Sequence, residues 1–337
     1  MTPADSRAIM LRELDEQPGI LATLANPMRE LAKEIQLDKD RPVWIGGCGD
    51  GLFAAQAMAL HFRRHGWDMR PVSAAEMLWD ADIRPEDTVV GISMSGSTRR
   101  TVEALTAAAE RGARTVAVTL NATSALGQVA AKVLPLPFVP ISRAIPHGLD
   151  YHVTLLALAA LAGPAEGAMI EQMFHMETAL TLSRARDVST GLSENARFFF
   201  LGGGSALGTA NFGAAKLHEA GGIPACAFEA ENFAHGAQFM LRSGDHVVLC
   251  GAGGPADLRT AALRDGVARL GVSVSAAGPL NTGASQSNTL LAAMQAALAA
   301  QCLCLAVAEV RDLNVTDPGQ ETFAADVQRD WFGWRAT

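Results

Sequence analysis

Lysine is scarce in this chain, and so is any surplus of positive charge. The 337 residues include four lysines, and 35 acidic side chains against 27 basic ones give a formal net charge of −8. A chain with this balance offers no basic surface to a nucleic-acid backbone, so we expect no DNA or RNA partner. A small anionic substrate is still compatible with it, since a local positive site can lie inside an acidic protein.

Cysteine is also sparse, and its spacing does not suit a metal. The five cysteines are odd in number, and most lie in apolar runs such as the one that ends at Cys250. Cys302 and Cys304 lack the usual zinc spacing, and no second Cys/His pair accompanies them. We therefore expect free thiols in a reducing compartment, no structural metal and no cofactor.

Targeting and membrane segments are lacking as well. Residues 1–15 are charged and have no apolar core, which argues against a signal peptide and favours a cytoplasmic protein. The one long apolar stretch, 290–310, is rich in alanine and carries Gln295, Gln301 and Glu309. That composition is typical of a helix buried within a protein, so we expect no membrane contact.

What the sequence does contain is an alternation of short apolar strands and helices. Apolar residues at helical spacing extend to about residue 40, broken by Pro18 and Pro27, and predict a helical arm. After it, strands are predicted at 42–45, 88–92 and 115–120, with helices at 52–65 and 101–111. This alternation predicts a parallel sheet covered by helices on both faces.

The same pattern then repeats in the second half of the chain. Segments 197–205, 245–251 and 271–275 match 45–51, 87–93 and 112–118, and each half closes with an Ala/Leu-rich helix, at 153–161 and 290–307. A repeat of this length predicts duplication of a whole domain. We expect a helical arm at 1–40, α/β domains at 41–186 and 187–320, and a tail at 321–337.

A hydroxyl-rich loop follows the predicted strand at 88–92. A helix N-terminus behind such a loop offers free amides and the positive end of the helix dipole, and Gly96 lets the backbone approach a ligand. An ordinary turn capped by Ser and Thr is the alternative. The equivalent turn of the second half, 251–255, has no hydroxyl, so phosphate is expected in the first half only. The predicted phosphate-binding residues are Ser93, Met94, Ser95, Ser97 and Thr98.

Two glycine-rich turns raise the alternative of dinucleotide binding. They begin at Gly47 and Gly202, and in both of them the third glycine of the fingerprint is replaced, by Leu52 and Leu207. Without that glycine we do not expect NAD.

The loop Ser93-x-Ser95-Gly96-x-Thr98 after an apolar strand resembles the signature of the SIS (sugar isomerase) domain. The tandem arrangement resembles the isomerase half of glucosamine-6-phosphate synthase and related deaminases and deglycases. Segment 11–18 resembles the Glu-x-x-Glu-Gln-Pro start of that half. The resemblance implies two flavodoxin-like αβα domains with parallel sheets, a sugar-phosphate substrate and a homodimer with its active site near the subunit interface.

The second half carries residues that resemble the family's chemical groups. Lys216 and Glu219 resemble its Lys-x-x-Glu helix, and Glu231 to Gly236 resembles its Glu-x-x-x-His-Gly loop. The resemblance implies that Glu219 moves a proton between C1 and C2 of the open-chain sugar. It further implies that His235 assists ring opening across a dimer interface and that Lys216 places positive charge near the enediolate. These roles suit a carboxylate in a partly desolvated cleft, a near-neutral imidazole and a positive group near the developing oxyanion.

Simpler interpretations stay open for the same residues. Lys216 could be an edge lysine that reaches solvent, or it could form a surface ion pair with Glu219, three positions further on. His235 could be structural. Glu231 and His235 are spaced like a pair of metal ligands, although a third ligand is lacking.

Several positions depart from the family pattern. Met94 stands where glutamine is usual, and Gly49-Asp50-Gly51 lacks the usual hydroxyl and adds a carboxylate that would repel phosphate unless it points away. Arg143 or His147 could supply the cationic role of a missing Thr-Lys pair. No lysine follows Lys216, so the tail cannot supply the family's C-terminal amine. The residues expected to bind substrate are Gly49, Asp50, Gly51, Arg143, His147 and Glu231.

Two functions follow from these observations. The favoured one is an enzyme that carries out aldose–ketose isomerisation or deamination of a sugar or amino-sugar 6-phosphate through an enediol or enolamine. Because the sequence has no glutaminase domain, we do not expect amidotransferase activity. The alternative is a non-catalytic sugar-phosphate sensor, and retention of Lys216, Glu219 and His235 favours the enzyme.

Overall fold

Alternating strands and helices build two parallel sheets joined by a layer of apolar helices. The computed structural model describes residues 1–163, 167–280, 288–316 and 325–334. The strands are β1 Val43–Gly47, β2 Met69–Pro71, β3 Thr88–Ile92, β4 Arg114–Thr119, β5 Lys132–Pro135, β6 Phe198–Gly202, β7 Ala225–Phe228, β8 His246–Cys250 and β9 Ser273–Ala277. The larger helices are α1 Pro3–Lys33, α2 Asp50–Arg64, α4 Arg99–Glu110, α6 Leu149–Ala162, α7 Gly167–Thr190, α8 Ala206–Gly221, α10 Asp257–Arg269 and α11 Thr289–Val310; the shorter ones are α3 Ala74–Trp79, α5 Ala125–Val129, α9 Ala230–Ala234 and α12 Ala325–Gly333.

The two sheets share one spatial order. The first runs β2-β1-β3-β4-β5 and the second β7-β6-β8-β9, and all pairings are parallel. This is the flavodoxin-like order that the family resemblance implies for each half. In such a sheet a ligand binds where the strand order reverses, which in the first half is beyond the carboxyl ends of β1 and β3. The boundary between the halves at residue 187 stays a prediction, and α7 runs through it to Thr190.

The N-terminal arm is one helix, which corrects the prediction that Pro18 and Pro27 interrupt it. Helix α1 contains both prolines and ends at Lys33, short of residue 40. Its inner face, with Leu14, Leu21 and others, is buried against α6, α7 and α11. That burial offsets the backbone hydrogen bonds that each proline removes.

Two helices, α6 and α11, are apolar on every face because they lie at the centre of the molecule. Helix α11 is long and apolar enough to cross a membrane, yet 83% of its most apolar stretch is buried within the protein. Against it pack α7 and α8, and α8 packs in turn on α2 of the other half.

The contact between α2 and α8 sets the geometry of the seam between the halves. Gly208 of α8 lies so close to α2 that a β-carbon there would stand 2.3 Å from the amide nitrogen of Ala57 and 2.4 Å from the carbonyl oxygen of Phe53. Across the same contact the amide of Leu60 donates to Ser205 Oγ at 2.8 Å. The backbones of the two helices are therefore as close as a glycine allows.

We expect Gly208→Ala to lower the free energy of unfolding by about 1–3 kcal/mol, because the added methyl forces two backbones apart. The matched control is Gly266→Ala in α10, where no described atom lies within 4 Å of the added carbon. There the better helix former should raise stability by about 0.5–1 kcal/mol. Urea unfolding of both variants measures the difference, and equal effects of the two substitutions would contradict the close packing.

Candidate functional site

A cavity of about 630 Å³ opens beyond the carboxyl ends of β1 and β3, where the sheet order predicts a ligand. The turn between β1 and α2 and the loop after β3 form one wall, and the first turns of α6 and part of α8 form the other. The lining residues are Cys48, Gly49, Asp50, Gly51, Phe53, Ile92, Ser93, Met94, Ser95, Thr98, Arg143, His147, Asp150, Tyr151, Thr154, Ala215, Glu219 and Phe332.

The hydroxyl loop is held in shape by its own side chains. Ser93 Oγ lies 2.8 Å from Thr98 Oγ1 and accepts from the amide of Gly96 at 3.1 Å. Ser95 and Ser97 share a hydroxyl hydrogen bond of 2.9 Å. Gly96 has a φ of +66°, and a β-carbon on it would stand 2.0 Å from Ser124 Oγ, so this position requires glycine.

The N-terminus of α4 follows this loop, and no side chain caps its first backbone amides. Thr98 is the N-cap residue, and its hydroxyl bonds to Ser93 instead of to an amide of the first turn. The opening amides of α4 are thus available to an anion, as the sequence predicts. Of the five residues predicted to bind phosphate, four line the cavity and Ser97 does not.

The corresponding turn of the second half is already occupied by a carboxylate of the chain itself. Asp257, in the first turn of α10, accepts from the amides of Ala252 and Gly254, each at 3.1 Å. An anion from solution would have to displace it. The turn therefore offers phosphate no free amides at these positions, in keeping with the prediction that only the first half binds phosphate.

The opposite wall of the cavity is organised around Lys216. Its Nζ donates to Glu219 Oε2 at 2.8 Å and to Asp50 Oδ2 at 2.9 Å, while its side chain is only 2% exposed. The interpretation of Lys216 as an edge lysine that reaches solvent is therefore wrong. The ion pair with Glu219 is present, but its lysine end is buried instead of lying at the surface. The aromatic ring of Phe212 lies below the ammonium, 5.2 Å away.

The ion pair with Lys216 also changes the effect expected of Asp50, the carboxylate in the turn between β1 and α2. Asp50 does not face a phosphate as an isolated charge, because Lys216 holds it from across the seam between the halves. The repulsion expected from the sequence is reduced by this ion pair. Asp50 comes from the start of α2 and Lys216 from α8, so the pair joins the two halves at the site.

Burial shifts the proton affinities of this cluster. Desolvation raises the pKa of Glu219 above its usual value, against the opposing effect of Lys216. Desolvation alone would lower the pKa of Lys216, but the charges of Asp50 and Glu219 outweigh it and raise that pKa. The ammonium is therefore permanently charged, whereas the carboxyl of Glu219 holds a proton more readily than an exposed glutamate.

Arg143 and His147 both line the cavity, and both lie close to the carboxylate of Asp150. Arg143 Nη1 donates to Asp150 Oδ2 at 3.1 Å, and His147 Nδ1 lies 3.8 Å from the same oxygen. Desolvation, helped by the charges of Lys216 and Arg143, lowers the pKa of His147 to about 4. His147 is thus neutral near pH 7, so Arg143 is the charged one of the two residues considered for a cationic role.

Two predicted residues lie away from this cavity within one chain. His235 is 74% exposed, and its Nε2 lies 3.0 Å from Glu231 Oε1. Glu231 also forms an ion pair with Arg259. Neither residue lines the cavity beside Glu219. Among the residues that the structure describes, no group of three or more potential ligands could hold a metal ion.

Several residues of the site were missed from the sequence. Asp150, Tyr151 and Thr154 line the cavity from the first turns of α6. The sequence signal that could have identified this part of the site is the carboxylate of Asp150 at the start of the largely apolar helix α6. Phe332 also lines the cavity, and Trp334 packs edge-on against Trp79 at 6.0 Å, so these residues of the tail pack on the body of the protein. The tail segment 317–323, which departs from the family, lies outside the described residues.

Comparison with known proteins agrees with this architecture. Residues 36–163 match the family model of the SIS domain. The glutamine–fructose-6-phosphate aminotransferase (isomerizing) of Pyrobaculum aerophilum is 28% identical over 257 residues, covering 71% of this chain and 42% of that protein. The same enzyme of Bradyrhizobium diazoefficiens is 28% identical over 261 residues, covering 69% and 43%. The chain spans less than half the length of these curated relatives.

Solved structures show the same fold. Tagatose-6-phosphate ketose/aldose isomerase of Escherichia coli superposes with a TM-score of 0.77 at 17% identity, covering 94% of this chain and 96% of that one. Glucosamine-6-phosphate deaminase of Thermotoga maritima gives 0.73 at 19% identity, covering 93% and 98%. The two-sheet architecture is thus shared over nearly the whole length of each chain.

We expect Lys216→Met to lower the free energy of unfolding by about 1–3 kcal/mol, since the partly exposed carboxylates of Asp50 and Glu219 lose the ammonium between them. Adding Asp50→Asn should recover part of that loss, because it removes one of the unpaired charges. The matched control is Lys132→Met at an exposed position, which should change little. Urea unfolding measures all three, and a Lys216→Met protein as stable as the control would contradict the ion pair.

Proposed function

Because this chain belongs to the SIS-domain proteins and is homologous to the isomerase part of glutamine–fructose-6-phosphate aminotransferases, we propose that it is an enzyme acting on a phosphorylated sugar. The reaction is isomerisation between aldose and ketose, or deamination, of a sugar or amino-sugar 6-phosphate. One observation carries the proposal: a single cavity is lined by the hydroxyl loop on one wall and by Glu219 on the other.

The loop anchors the phosphate. Ser93, Ser95 and Thr98 supply hydroxyl donors, and the first turn of α4 supplies free amides and the positive end of its dipole. An open-chain sugar held by its phosphate then extends its other end toward α8. In this way the loop selects the substrate and leaves the chemistry to the opposite wall.

Glu219 moves the proton. Its carboxylate takes a proton from the carbon next to the carbonyl, which leaves an enediolate, or an enolamine where that carbon bears an amine, and returns the proton to the former carbonyl carbon. With an amino sugar the product is an imine, and its hydrolysis by water gives the ketose and releases ammonia. Desolvation raises its pKa above the usual glutamate value, which favours a group that must first accept the proton and then release it. Lys216 keeps the carboxylate oriented at 2.8 Å and places a permanent positive charge beside the oxyanion that develops.

We expect Glu219→Gln to lower kcat by about 10²–10⁴-fold, because the amide cannot accept the proton, while substrate binding changes little. The assay follows ammonia release and ketose formation over hexose and hexosamine 6-phosphates. Glu110→Gln, at an exposed position of α4, is the matched control and should keep full activity. Full activity of Glu219→Gln would refute the assignment of the base, and binding without any turnover by the wild type would favour the sensor.

His235 enters this scheme through a second copy of the chain. It is exposed, it lies on the second half and it does not line the cavity of its own chain. We propose a homodimer in which this imidazole reaches the cavity of the other subunit and assists ring opening. In this dimer the exposed imidazole of His235 lies beside the substrate bound to the other subunit.

Mixing two inactive variants tests this shared site. If each site combines Glu219 of one subunit with His235 of the other, a hybrid of Glu219→Gln and His235→Ala chains holds one intact site. After subunit exchange the mixture should recover roughly a quarter of wild-type activity, because half the dimers are hybrids and half their sites are intact. Light scattering checks the dimer, and a mixture that stays inactive would refute the contribution across subunits.

A further inference from the structure

The cavity that holds the phosphate loop has an excess of carboxylates. Asp50, Asp150 and Glu219 line it, whereas the cations in or beside it are Arg143 and the buried Lys216. His147 adds no charge near pH 7, since its pKa is lowered to about 4 by desolvation. Apart from helix dipoles, the side chains of the cavity therefore carry one negative charge in excess, at a site that must also accept a phosphate.

Asp150 differs from the other two carboxylates because its unpartnered oxygen is buried. It is 5% exposed, its Oδ2 accepts from Arg143 at 3.1 Å, and its buried Oδ1 has no hydrogen-bond partner among the described residues. The charge of Asp50 is close enough to help desolvation raise the pKa of Asp150, to about 6. A buried carboxylate oxygen without a donor is costly, so a donor is expected to arrive with a ligand.

A role in capping α6 does not account for Asp150. The amides of Gly148 and Leu149 at the start of that helix donate to Glu13 Oε1, at 2.8 and 3.1 Å. Glu13, from α1, thus accepts the hydrogen bonds from the start of α6 that an acidic residue in the first turn of that helix could otherwise accept. Asp150 is left to face the cavity.

We propose that Asp150 is a specificity-determining residue that receives the ammonium group of an amine-bearing sugar phosphate. This inference rests on the proposed function and names the substrate within it. An ammonium supplies both the missing donor for the carboxylate and the missing positive charge of the wall. A neutral hydroxyl at the same carbon supplies only the donor, so the site discriminates against the sugar that lacks the amine.

Two ligands that differ only in this group provide the test. 2-Amino-2-deoxyglucitol 6-phosphate and glucitol 6-phosphate are open-chain and have no carbonyl, so neither is turned over. Titration calorimetry at pH 7 should show that the wild type binds the amine at least about tenfold more tightly. Asp150→Asn should reduce this ratio by about tenfold, chiefly through weaker binding of the amine.

Arg143→Gln gives an independent result of opposite sign. Arg143 is half-exposed, so its loss should be tolerated by the fold, and it leaves Asp150 with less positive charge nearby. Binding of both ligands weakens if Arg143 also assists the phosphate, but the ratio in favour of the amine should rise. A ratio that falls or stays unchanged in this variant would overturn the proposal, even where Asp150→Asn fails to fold.

Asp245→Asn is the matched control for Asp150→Asn. Asp245 is also a buried aspartate held by an arginine, Arg197, at 2.7 Å, but it does not line the cavity. It should lower stability and leave the ligand ratio unchanged. Equal affinity of the wild type for the two ligands would overturn the role of Asp150 and leave the proposed function standing, whereas binding of neither ligand would overturn both.

Discussion

The burial of one ammonium group constrains the rest of this structure. Lys216 lies in the apolar interior between the two halves, where an unpaired charge would be prohibitive. It is accommodated because Asp50 from α2 and Glu219 from its own helix both reach it. The spacing of α2 and α8 must therefore be held tightly, and Gly208 lets the two helices approach closely. The cavity forms at this seam because the carboxylates that neutralise Lys216 also line it.

The two halves have divergent roles built on one topology. In the first half the turn after β3 leaves its amides open and surrounds them with hydroxyls. In the second half the equivalent turn after β8 is filled by Asp257 of the same chain. The carboxylate of Asp257 stabilises that turn much as a bound anion would. The second half instead contributes α8 to the cavity beside the first sheet.

Much of the fold could be predicted from the sequence because its central strands are continuous apolar runs. The strand at Thr88–Ile92 lies where the pattern placed it, and the others deviate by a residue or two at their ends. The short strands β2, β5 and β7 were missed, since three or four residues such as Met69–Pro71 leave no periodic signal. The prediction that Pro18 and Pro27 interrupt α1 was wrong for a related reason. Helix propensity is a local property, and the burial of α1 against other helices outweighs the cost of the two prolines.

The site was predictable only where chemistry is local. The spacing of Lys216 and Glu219 and the run of hydroxyls are visible in the sequence, because each lies within a few residues on one element. The pairing of Lys216 with Asp50 spans 166 positions, and no local pattern encodes it.

The role of Asp150 depends on Glu13, which is 137 positions away. Because Glu13 Oε1 also accepts from Gln301 of α11 at 3.0 Å, one carboxylate fixes the start of α6 against two other helices. A carboxylate that would otherwise cap its own helix is thereby left to the cavity, and the N-terminal arm acquires a part in substrate choice without touching the substrate.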